Sequence, residues 1–160
     1  MEARVPMRVS LLVRGRARAA VSKTARKRLR RRATRISNVW GLTEGEWSVL
    51  LTDDEEVTRL NTEYRGIPRT TDVLSFALQE AEGPVPCAEG GAPLLFGDVV
   101  ISTEQADRQR EHRSLEAEVE RLMVHGFCHL MGFDHQTDEQ HAAMKQAEEG
   151  LLDALPTARR

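Results

Sequence analysis

Three histidines near the C-terminal end, His125, His129 and His135, stand at spacings that suit a single metal ion. His125 and His129 are four residues apart, so on a helix they project from the same side, one turn above the other. Gly132 follows within a turn and can end that helix, because glycine accepts the left-handed C-terminal conformation. A chain reversal there brings His135 back to the pair. Three neutral imidazoles with a fourth position open form a catalytic zinc arrangement rather than a closed structural one. Imidazole also suits copper, nickel and iron, but an exchangeable fourth position favours zinc. Asp134 is expected to act from outside the ligand set, orienting a ligand or the turn from residue 132 to 135. Cys128 is a rival ligand, yet it points away from both helical histidines and reads as a small buried hydrophobe. The residue after His125 is Gly126, where a protease of the H-E-x-x-H type carries its glutamate base. His112 and His141 lie outside the motif and are expected at the surface, although His141 could approach from the last helix.

The elements that must position these residues alternate between strand and helix. Residues 7–13 (MRVSLLV), 47–52 (WSVLLT), 72–78 (DVLSFAL) and 94–101 (LLFGDVVI) read as strands, with Gly97 as a bulge or a point of close approach. Ser22 caps a helix that runs to about residue 39. Asp53-Asp54 opens another that Gly66-Ile67-Pro68 breaks. Ser102 or Thr103 starts a helix to about residue 112. Ser114 starts the metal-bearing helix, in which Leu115, Val119, Leu122, Met123, Gly126 and Leu130 share one face. Thr137-x-x-Gln140 is a capping box for a final helix with Met144, Ala147, Leu151 and Leu155 inward. The pattern implies an α/β (α+β) fold of about four strands in a single domain over residues 1–160. Residues 80–93, rich in proline and glycine, are expected as an exposed loop, and residues 1–6 and 156–160 as frayed ends.

A net charge of −2 conceals a strong division: residues 1–40 carry a net +12 and residues 41–160 a net −14. Such a division suits a basic surface for a polyanion. Lys23, Arg26, Lys27, Arg30 and Arg31 are the candidate contacts to the phosphate backbone of such a polyanion. The alternative is a solvated helix face whose cations pair with acidic neighbours. An arginine-rich N-terminus also fits an organelle transit peptide, but this one contains a strand and a helix of the fold. Two cysteines, Cys87 and Cys128, make no disulfide framework, so a reducing cytoplasm is expected. No apolar run approaches the ~20 residues of a membrane span. With two Trp, one Tyr and four Phe, base stacking is expected to be secondary to phosphate contacts.

From about residue 47 to residue 155 the chain resembles the YbeY family of bacterial rRNA-maturation endoribonucleases. The metal segment is similar to the family pattern H-G-x-x-H-L-x-G-x-D-H throughout. Asn61-Thr62-Glu63-Tyr64-Arg65-Gly66, Thr71-Asp72-Val73-Leu74-Ser75-Phe76 and Gly97-Asp98-Val99-Val100-Ile101 resemble three further family segments, in the same order. Ala77 departs from the pattern, where a proline often follows the phenylalanine, and Cys128 replaces a bulkier residue. The resemblance implies a mixed sheet packed against a central metal-binding helix, with one zinc ion held by His125, His129 and His135. It also implies Arg65 and His125 as catalytic residues. The implied activity is zinc-dependent, single-strand-specific endonucleolysis in 16S rRNA 3′-end maturation and ribosome quality control, with a small ribosomal subunit and an assembly GTPase as partners. A zinc metalloprotease or another metal-dependent hydrolase is the first alternative. A non-catalytic ribosome-assembly factor with a structural metal is the second.

Overall fold

Strict alternation in the second strand shows how the layers form. Trp47, Val49 and Leu51 are buried on one side, and Ser48 and Leu50 turn to the other. The computed structural model describes residues 6–78 and 94–156. Its sheet runs β1-β2-β4-β3, from β1 (Arg8–Val13), β2 (Glu46–Thr52), β3 (Val73–Ala77) and β4 (Leu95–Ser102). β1, β2 and β4 are parallel, and β3 joins β4 antiparallel as an edge strand. Parallel pairing needs crossovers, which α2 (Lys23–Trp40) and α3 (Asp54–Arg65) supply on opposite faces of the sheet. The main core lies under α2 and α5 (Leu115–Leu130), around Leu29, Ile36, Trp47, Val99, Met123 and Phe127. A smaller cluster of Val57, Leu74 and Val100 seats α3 on the other face.

The helix starts foreseen from the sequence are the observed ones, because each is fixed by a local hydroxyl or carboxylate. Ser22, Asp53, Ser102, Ser114 and Thr137 all accept the backbone N–H three residues on. The last of these belongs to a complete capping box opening α6 (Asp138–Ala154). Two local features differ from expectation. A one-turn helix, α1 (Ala17–Ala20), precedes α2, held by burial of Ala17. α4 (Thr103–Gln109) stops short of residue 112, because Arg110 donates to Asp107 and to the carbonyl of Arg113 and Glu111 turns to positive φ. At Gly97 the expected irregularity is present: Gly97 pairs with Trp47 while Leu95 pairs with Glu46, so the strand steps past Phe96 as a bulge does. The loop expected at residues 80–93 and Cys87 lie outside the described residues, as do residues 1–5 and 157–160. Pro6 bridges Glu44, and the carbonyl of Pro156 accepts from Arg32. No helix among the described residues is long and apolar enough to cross a membrane.

Acids from the negative part of the chain lock the helices laterally. Glu116 accepts two bonds from Arg28, and Glu120 pairs with Arg32, tying α5 to α2. Glu118, 1% exposed, is satisfied by Gln109, Arg113 and Arg121. At the C-terminal end of β2, Asp53 accepts the backbone N–H of Arg16 as well as capping α3. The Arg16 N–H is the main reason its carboxyl is held below the usual carboxylate range. Hydrogen bonds from Arg16 and Arg28 do the same for Glu104 and Glu116.

A carboxyl with a lowered folded pKa stabilises the fold above its unfolded value, and that contribution disappears as pH falls through the folded one. The urea midpoint is therefore expected to fall once pH drops below the ordinary carboxylate range of about 4. Asp53→Asn is expected to lower the midpoint at neutral pH and to make the acid-side decline shallower. An unchanged acid limb in that variant would remove Asp53 from the account.

Candidate metal centre

The orientation of the metal-bearing helix is set one residue beyond its first histidine. An atom placed at the missing Cβ of Gly126 would lie 2.4 Å from Val99 Cγ1, so the backbone of α5 rests directly on β4. The Ser75 hydroxyl of β3 donates to the Gly126 carbonyl at 3.3 Å and pins the same turn to the edge strand. With residue 126 facing the sheet, His125 and His129 emerge on a flank of the helix, both half-buried. Position 126 leaves no room for a glutamate, which excludes the protease arrangement on steric as well as chemical grounds.

The C-terminus of α5 then reverses through a Schellman motif. The N–H groups of Gly132 and Phe133 donate to the carbonyls of His129 and Cys128, and Gly132 has φ 96°. Phe133 packs edge-on against Trp40 at the end of α2, with ring centroids 5.6 Å apart. The chain continues to His135, whose backbone N–H donates to the Asp134 carboxylate at 2.8 Å. Nitrogen atoms from His125, His129 and His135 consequently lie within 4.8 Å of one another and could hold a metal ion.

The donor set suits such an ion. His125 Nδ1 donates to Glu148 Oε1 at 2.6 Å, and His129 Nδ1 to the Phe133 carbonyl at 2.9 Å. Each bond places the proton on Nδ1 and leaves the Nε2 lone pair as the ligand atom. The two Nε2 atoms are 3.2 Å apart and face each other. Burial, together with His125 and His135 nearby, lowers the pKa of His129 and favours the neutral ring that a metal needs. Cys128 is fully buried, and burial with Glu148 behind it pushes its thiol up to about 12. It therefore stays protonated and outside the cluster. His112 and His141 are exposed and take no part in it.

Arg65, the last residue of α3, lies against β3. Its Nη2 donates to the Ser75 carbonyl at 2.7 Å, and its guanidinium sits 5.7 Å from the centre of the Phe76 ring. It has no carboxylate partner among the described residues. The residue whose carbonyl holds Arg65 is thus the one whose hydroxyl holds Gly126 beside His125. Of the cations on α2, Arg26 donates to the carbonyls of Val21 and Arg18, whereas Lys23, Lys27, Arg30 and Arg31 are exposed without partners among the described residues. A separate hollow at the C-terminal ends of β1 and β2, lined by Arg14, Arg18, Asp53, Glu56 and Arg59, is remote from the histidines. Its charges are partly paired internally, Arg14 and Arg59 with Glu56.

Sequence reasoning did not reach Glu148. It stands four residues after Met144 and three before Leu151, the two buried residues of α6, so it was legible as the acid on an inward face. What could not be seen is that α6 lies against the histidine flank of α5.

With this geometry in hand, comparison with known proteins is specific. The family model described as Endoribonuclease YbeY matches residues 15–156. A protein named Endoribonuclease YbeY from Pelotomaculum thermopropionicum is 45% identical over 118 residues, covering 72% of this chain and 76% of its own. One of the same name from Anaeromyxobacter is 41% identical over 140 residues, 82% of this chain and 69% of its own. A solution structure from Thermotoga maritima superposes with a TM-score of 0.50 at 19% identity, covering 91% of this chain and 89% of that one, and supports the fold.

Three substitutions test the centre. Glu148→Gln is expected to weaken zinc binding by about 10–100-fold in a competitive chelator titration, with the metal-free melt unchanged. Cys128→Ala should leave the affinity alone, and equal affinities for all three proteins would remove Glu148 from the site. Gly126→Ala is expected to cost about 1–3 kcal/mol in urea unfolding, because Val99 cannot retreat. Wild-type stability there would mean that the helix does not rest on β4 as described.

Proposed function

The chain belongs to the Endoribonuclease YbeY family, and we propose from that premise that it is a zinc-dependent, single-strand-specific endoribonuclease acting in 16S rRNA 3′-end maturation and ribosome quality control. The observation that carries the reading is the convergence of His125, His129 and His135 with two of their rings already fixed as Nδ1 tautomers. Zinc suits three imidazoles and a free position, and when bound it supplies Lewis-acid polarisation of a phosphodiester.

The protein's own groups do the rest. Glu148 and the Phe133 carbonyl hold the rings of His125 and His129 in the ligand-ready orientation, and Asp134 holds the backbone of His135. Arg65 uses one N–H on the Ser75 carbonyl, which keeps its guanidinium on the β3 edge with its remaining donors available for phosphate oxygens. In this reading Arg65 offsets the charge that builds on the phosphoryl group during cleavage. The small ribosomal subunit is the setting in which such a substrate is met.

Cleavage of a single-stranded 16S 3′ precursor by stripped and zinc-reconstituted protein tests this. His129→Ala is expected to abolish cleavage together with zinc binding. Arg65→Ala is expected to lower kcat by about 10²–10³-fold while zinc affinity is retained. Should both variants cut as fast as the wild type, the activity belongs elsewhere and the reading is wrong.

A further inference from the structure

The exposed side of α2 carries cations at Lys23, Lys27, Arg31 and Arg35, each four residues from the last, with Arg30 beside them. Successive i,i+4 steps place them in one row across the outer face, over about 18 Å of helix. None of the five side chains has a hydrogen-bonding or ionic partner among the described residues. The remaining cations of this helix are engaged: Arg26 with two carbonyls, Arg28 with Glu116 and Arg32 with Glu120. The row works against its own helix. Like charges four residues apart repel, and α2 has no acid in its first turn while Lys23 and Lys27 sit near the positive end of the dipole. Folding alone does not call for such an arrangement, but an external polyanion does.

The row is not part of the histidine cleft. On α5, Glu116 and Glu120, which hold α2, each precede His125 and His129 by nine residues. Nine residues at 100° each place the two pairs on opposite flanks of the helix. The stretch of α2 held by Glu116 and Glu120 is therefore separated from His125 and His129 by the width of α5, about 10 Å or more, and only the C-terminal Trp40 of α2, beyond the row, reaches the turn before His135. The row contains no aromatic or apolar residue, so it offers phosphate contacts and no platform for bases.

We infer that the outer face of α2 is a remote anchor for the phosphate backbone of RNA whose scissile segment lies at the histidines. The inference rests on the proposed endoribonuclease activity for its ligand. It makes turnover depend on substrate length: a strand must reach round α5 to use both surfaces, and an oligonucleotide confined to the cleft gains nothing from the row.

The test replaces Lys23, Lys27, Arg31 and Arg35 together by Gln, which keeps helix propensity, and compares single-stranded RNAs of about 5 and 20 nucleotides, roughly 17 and 70 Å at 3.4 Å per nucleotide. The expected result for the long RNA is a KM raised about 10-fold or more at low salt with kcat unchanged, and a salt slope of log K reduced by about 3, at 0.7 per cation removed. Cleavage of the short RNA should be unaffected, and a variant with Arg31→Lys and Arg35→Lys, which keeps the charge, should behave as wild type. Fluorescence anisotropy of the long RNA on the metal-free protein reads the anchor separately from catalysis. Wild-type protein that binds the long RNA through the row but cuts nothing would keep the anchor and sink the nuclease reading. Equal losses on both lengths, or no loss on either, would overturn the anchor; in the second case the row faces solvent or an acidic protein surface.

Discussion

Everything at the candidate centre depends on how closely α5 can lie on the sheet. A side chain at residue 126 would hold the helix off Val99, whereas glycine lets the backbone settle onto β4 and lets Ser75 reach the Gly126 carbonyl. That contact fixes the rotation of the helix about its axis. Once residue 126 faces the sheet, residues 125 and 129 must emerge on one flank and residues 116 and 120 on the other. The histidines and the acids that bind α2 are thus two consequences of a single packing decision. The same glycine that removes the protease base is the one that brings the metal ligands into position.

The second determinant is where the buried polar groups find partners. An imidazole at the edge of a core is ligand-ready only if its other nitrogen is satisfied. Here one partner is local, the Phe133 carbonyl placed by the Gly132 reversal, and the other, Glu148, comes from a separate helix. Trp40 braces Phe133 from the α2 side, so the turn that carries His135 is held between α2 and the end of α5. The charge division in the sequence serves the same end in part. Arg28 and Arg32 cross from the basic part to acids of α5, which accounts for some of the excess cations and leaves the outer row unaccounted for by folding.

Features that depend on neighbours in sequence were legible before any coordinates. The five helix starts were marked by Ser22, Asp53, Ser102, Ser114 and Thr137, and the strands by alternation, because caps and pleats act over a few residues. The histidine spacing and Gly132 were readable for the same reason. What escaped was set by contacts between distant segments. Glu148 looked like one acid among many on α6. Arg26 looked equivalent to Lys27, although one engages the end of α1 and the other faces solvent. The early end of α4 follows from Arg110 bonding to Asp107 and Arg113, which no helix-propensity argument contains. The strand order β1-β2-β4-β3 was likewise invisible, since alternation marks strands and not their partners.

Arg65 shows why tertiary placement matters more than charge content. In a chain with so many acids, an arginine at a helix end is expected to find a carboxylate, and a paired guanidinium has little left for a phosphate. Arg65 instead stops at a main-chain carbonyl and an aromatic face. Those partners hold the side chain in place without neutralising it, so its full positive charge and its unused donors remain on the β3 edge. Ser75 links that edge to the histidine helix through its hydroxyl. A displacement of β3 would therefore disturb Arg65 and the seat of α5 together, which makes the edge strand the mechanical link between the cation and the candidate metal ligands.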